Sequence, residues 1–114
     1  MAKEFGMYQN RRFNLHLPIH FRVSQKGETS RWATGITCDI SSTELTFRCR
    51  KALPTGAHIE MAIEWPARQD SDPVELIATG FVTRSSASKA SVSMTAHRFR
   101  TEPAVREPMT AIAS

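Results

Sequence analysis

The sequence is poor in the residues that usually announce a function. Among 114 residues there are two cysteines, Cys38 and Cys49, and they form no CxxC pair. A disulfide scaffold and a cysteine-based zinc site are therefore excluded as organising features. No run approaches the ~20 apolar residues that a membrane-crossing helix needs. The N-terminal stretch MAKEFGMYQNRR has no apolar core of the secretory type, so a cytoplasmic address is expected. Nowhere does the chain carry GxSxG, HExxH, a Walker loop or GxGxxG, the patterns that position a nucleophile, a zinc ion or a phosphate. The histidines His16, His20, His58 and His97 are scattered. His16 and His20 share one parity but lie ~13 Å apart at strand rise, too far for one metal ion. Glu60 and Glu64 also share a parity, yet their backbone separation exceeds the ~5–10 Å of a glycosidase pair. No catalysis, no metal and no cofactor are expected.

What is present is ordinary for one compact domain. Hydrophobic residues make up 40% and charged residues 23%, which excludes wholesale disorder. The net charge of +4 suits an anionic partner, and equally a basic face that is merely solvated.

The strongest pattern is alternation with period two, the mark of a strand with one buried face. Leu15, Leu17, Ile19, Phe21 and Val23 share a parity, with Pro18 marking a strand start or edge. After the turn cluster QKGETS, the run RWATGITCDI places Ile36, Cys38 and Ile40 on one face and Thr37 and Asp39 on the other. Ser41 to Glu44 make a connection of hairpin length to LTFRCR, where Leu45, Phe47 and Cys49 alternate with polar residues. Both cysteines thus read as core thiols. LPTG is a turn, and HIEMAIEW buries Ile59, Met61, Ile63 and Trp65. PARQDSDP reads as a long polar loop. VELIATGFVTRS is a fifth strand in which Gly80 predicts a bend or bulge. ASVSMTAHRFR is a sixth strand, with Val92, Met94, Ala96 and Phe99 inward. Six short strands separated by turn signals predict an antiparallel barrel or sandwich.

Two features remain: RRFNLHLPIHF, an arginine pair entering the first strand, and DISSTELTF, the connection between the second and third. In this order and on six strands, they resemble the PilZ family, small β-barrels that bind the bacterial second messenger cyclic di-GMP. The family signature is RxxxR on an N-terminal arm, followed by [D/N]xSxxG. The resemblance runs from about Arg11 to about Thr101, through LPTGAHIEMAIEW, ELIATGFVTRS and SVSMTAHRFRT. It implies a six-stranded antiparallel PilZ-like barrel over 13–101, a flexible basic arm over 1–12, and a loose or short-helical tail over 102–114.

It also implies ligand-binding roles for Arg11, Arg12, Asp39 and Ser41. Arginine forks grip phosphate oxygens or the O6/N7 edge of guanine and stack on the base. Asp39 accepts from guanine N–H donors, and the Ser41 hydroxyl donates or accepts. The match is partial. With Arg11 first, the second arginine of RxxxR falls at Leu15; with Arg12 first, it falls at His16. Glu44 occupies the glycine position, where it disfavours positive φ and adds negative charge near the expected dianion.

Two functions follow. One is a signalling module that binds cyclic di-GMP weakly and relays it to an effector protein through its arm. The other is a degenerate PilZ domain that has lost the nucleotide and serves as a protein-interaction adaptor. Nucleic acid is not the expected partner, because most strand aromatics have core parity instead of forming an exposed stacking face.

Overall fold

The computed structural model describes residues 12–69 and 72–101. The two ends, which include Arg11 and the expected tail, lie outside the described residues. Among those described there is no helix. Seven strands form one sheet: β1 (Pro18–Gln25), β2 (Glu28–Thr29), β3 (Ala33–Ile40), β4 (Glu44–Arg48), β5 (His58–Gln69), β6 (Asp72–Ser85) and β7 (Lys89–Arg100). Their order is β2-β1-β3-β4-β7-β6-β5, and β1 also pairs with β5 from Ile19↔Ile63 to Ser24↔His58. This last pairing closes a six-stranded antiparallel barrel, as expected, and leaves β2 as a short extra strand on β1. Closure removes most of the free strand edge that an open sheet would expose.

The alternating residues fill the interior. Ile19 and Phe21 from β1 meet Leu45 and Phe47 from β4, and the Phe21 and Phe47 rings lie 4.8 Å apart. Ile59, Met61 and Ile63 from β5 complete the core with Val82 and Val92 from β6 and β7. β1 begins at Pro18, whose missing donor suits a strand start. The β1–β2 turn holds Lys26 at φ 54° and Gly27 at φ 83°. Two successive positive φ values match the right-handed twist of a two-residue hairpin.

Gly80 marks an irregularity, as expected: the β6–β7 register shifts between Thr79 and Gly80. A Cβ there would lie 2.0 Å from the Ser93 carbonyl oxygen, so only glycine lets β6 and β7 approach this closely.

Four expectations are corrected. First, Thr37 is completely buried, while Ile36 is exposed. The Thr37 hydroxyl accepts from Leu17 N at 2.8 Å and donates to the Leu15 carbonyl. It thereby ties the segment before β1 to the inner side of β3, and a satisfied hydroxyl is tolerated in a core. Second, Cys38 is a half-buried bulge residue and not a core thiol: Thr37 pairs with Phe47 and Asp39 with Thr46. The extra residue resets the alternation, so Ile40 returns inward and Asp39 stays at the surface. Cys49 is buried, as expected. Third, the backbone of PARQDSDP is not a long loop, since β5 runs to Gln69 and β6 starts at Asp72. Fourth, Phe99 and Ala96 point to solvent. β4 pairs with β7 only between Ser93 and Lys89, so the far end of β7 overhangs the barrel. There Phe99 packs edge-on against Trp65, with centroids 5.3 Å apart.

Candidate functional site

The site begins where the chain enters the barrel. Phe13 N donates to Ile40 O at 2.9 Å, and Ile40 N donates to Phe13 O at 3.0 Å. This antiparallel bridge lays the end of the arm along the last residue of β3. Arg12 is thereby brought beside Asp39, which the bulge at Cys38 turns outward. Its guanidinium Nη1 donates to Asp39 Oδ1 at 2.7 Å, and Nη2 donates to Glu44 Oε1. The guanidinium is pushed above its ordinary pKa, chiefly by the bond to Asp39 and further by the charge of Glu44.

Two of the sequence-derived residues, Arg12 and Asp39, therefore meet. Ser41 has a different role. It is 7% exposed, and its hydroxyl accepts from Thr43 N at 3.2 Å and Glu44 N at 3.0 Å. Ser41 N also donates to Glu44 O at 2.8 Å. The serine shapes the β3–β4 turn and sets the position of Glu44, a local bonding pattern typical of serine. Its hydroxyl is engaged within the turn and does not face the groove. Leu15 is half-buried against the core, where it supplies no charge. His16 is exposed.

Arg12 and Asp39 form one side of a groove of about 500 Å³ on the outer face of the sheet. Its other walls come from Thr46 on β4, Arg84 and Ser85 on β6, Ser86 in the turn, and Lys89 and Ser91 on β7. Thr46 and Ser91 are joined through their hydroxyls at 3.2 Å. Arg84 and Lys89 are exposed, and neither has an ion-pair partner among the described residues. Three cations thus border a groove whose lining holds one carboxylate, Asp39. Such a surface suits an anion that can also accept hydrogen bonds from hydroxyls.

Sequence reasoning missed Arg84, Lys89 and Ser91. Their pairing, Arg84↔Ser91, follows a register shift between Val82 and Arg84, so parity counted along β6 does not reveal that they converge. Other polar residues singled out have structural partners. Arg22 Nε donates to Glu60 Oε1 at 2.7 Å, and His20 Nε2 lies 4.0 Å from Glu64 Oε2. His58 packs edge-on against Phe81. Among the described residues no group of three His, Cys, Asp or Glu side chains could hold a metal ion.

Compared with protein-family models, with curated proteins and with solved structures, the chain finds no significant match in any of the three.

Proposed function

We propose that this barrel is a PilZ-like signalling module that binds cyclic di-GMP weakly in the groove beside Arg12 and relays its occupancy through the N-terminal arm. The observation that carries this reading is the contact of Arg12 with Asp39 at 2.7 Å, at the edge of a groove that also holds Arg84 and Lys89. Arg12 and Asp39, 27 positions apart in sequence, meet at one anion-suited surface.

Glu44 sets the cost of binding. A dianion must share or take the guanidinium that Glu44 holds. An exposed ion pair is worth roughly 0–1 kcal/mol, so displacing Glu44 lowers affinity by no more than about fivefold. Leu15 costs more, because a missing charge-assisted contact forfeits about 2 kcal/mol. Release of Arg12 from Glu44 would also loosen the arm where it joins β3, which gives an effector protein something to sense.

Calorimetry with cyclic di-GMP tests the proposal. Expected are weak heats from the wild type at about 100 µM ligand and an affinity at least about tenfold higher for the Leu15→Arg, Glu44→Gly double variant. The Arg12–Glu44 pair also favours a second reading, the adaptor that has lost its nucleotide. Heat from the double variant alone would select that reading, and silence from both proteins would end the nucleotide assignment.

A further inference from the structure

At one end of the barrel the wall divides. β3 pairs with β1 as far as Phe21↔Ala33, but β4 reaches only Arg48↔Ile36. Residues 49–54 then leave the sheet, and the space between them and the start of β3 becomes a cleft of about 1070 Å³. Its floor is the core itself: Phe21, Val23 and Cys49 line it, and Leu53 and Trp32 add apolar surface above. Its rim carries Arg31, Arg50 and Lys51, against one carboxylate, Glu28. All three cations are exposed, and none has an ion-pair partner among the described residues.

Trp32 provides a second pointer. Arg22 lies 4.8 Å over its ring, and Glu60 in turn holds Arg22, so the indole is fixed as one wall of the cleft. Its Nε1–H is enclosed without an acceptor among the described residues. An apolar hollow at a barrel mouth, rimmed by unpaired cations, fits a molecule that is apolar at one end and anionic at the other.

We propose that this cleft binds a medium-chain aliphatic carboxylate, with its chain over Phe21, Val23 and Leu53 and its carboxylate at Arg50 and Lys51. None of the residues lining this cleft lines the groove beside Arg12, so the two assignments stand or fall separately.

The test uses the intact chain carrying Trp65→Phe, which leaves Trp32 as its one tryptophan. Octanoate, decanoate and dodecanoate are titrated below their micelle concentrations, and Trp32 emission is followed. Saturable binding is expected, tightening about fourfold per added methylene, as burial of a CH₂ predicts. Arg50→Glu with Lys51→Glu should weaken decanoate at least about tenfold. The same pair should leave 1-decanol affinity and the thermal melt unchanged. No saturable response in the wild type would overturn the proposal, as would decanoate binding indifferent to the rim variants. Sedimentation with phosphatidylglycerol vesicles, combined with silence toward decanoate, would also overturn it and mark this end as a membrane contact.

Discussion

The Arg12 guanidinium donates to Asp39 at 2.7 Å across 27 positions of sequence, and the same guanidinium is held from its other side by Glu44. One exposed cation is thus shared between two carboxylates, at the point where the Phe13–Ile40 bridge fastens the arm to β3. Stability and binding should respond differently to its loss. Exposed ion pairs contribute little, so Arg12→Ala should lower unfolding free energy by less than about 1 kcal/mol. Its effect on cyclic di-GMP should be complete loss of measurable heat. A chemical melt and a calorimetric titration of the same preparation check this. A large loss of stability would mean that the arginine chiefly holds the fold together and that its effect on binding is indirect.

Thr37 carries the opposite expectation. Its hydroxyl serves Leu17 N and the Leu15 carbonyl from a completely buried position. Thr37→Val keeps the shape but leaves the Leu15 carbonyl and Leu17 N without that partner. The expected cost is about 1–3 kcal/mol in urea unfolding. Thr37→Ser, which keeps the hydroxyl and loses a methyl, should cost about 1 kcal/mol. If valine were as stable as threonine, the hydrogen bonds would not be what holds the segment before β1.

Thr37 also shows where the sequence stops being legible. Most strands followed directly from period-two alternation, because each barrel strand has one wet face and one dry face. Alternation fails at a bulge, since one extra residue exchanges the faces. For that reason alternation alone places Ile36 and Thr37 on the wrong sides and Cys38 in the core. It fails again where strands overhang the barrel, because no second layer covers Phe99. In the site, the sequence singles out Arg12 and Asp39 by residue type, and the structure brings the two into contact. The capture of Arg12 by Glu44 was not legible, although the glutamate stood out at a position where a glycine was expected. Arg84 and Lys89 were invisible, because only the closing of β6 and β7 around the barrel brings them beside β3 and β4.

Gly80 is the clearest steric constraint. A methyl group there would sit 2.0 Å from the Ser93 carbonyl oxygen and 2.9 Å from Met94 Cα. Both are backbone atoms in a paired strand, so they yield only by separating β6 from β7. Gly80→Ala should therefore destabilise by roughly 3 kcal/mol, read as a drop in melting temperature of more than ten degrees. A melt within two degrees of the wild type would show that the bulge can slide to accommodate a side chain.

Cys49 gives a pH dependence whose sign can be worked out. Burial pushes its thiol above the ordinary value of 9.0, partly opposed by a hydrogen bond with the Lys51 backbone. The folded protein therefore keeps this proton at pH values where the unfolded chain has already released it. Wherever the unfolded state binds fewer protons, stability falls as pH rises. The contribution is fully present below the unfolded value and is lost as pH rises toward the folded one. Urea melts at a series of pH values should show the wild type losing stability above about pH 9 more steeply than Cys49→Ala, which lacks the group. Alkylation offers an independent readout, because the thiolate is the reactive form. Iodoacetamide should modify Cys49 in the folded protein more slowly at pH 9 than in the urea-unfolded chain, and the gap should narrow as pH increases. Parallel melts for the two proteins, together with equal alkylation rates folded and unfolded, would show that the thiol is not held in its neutral form by the core.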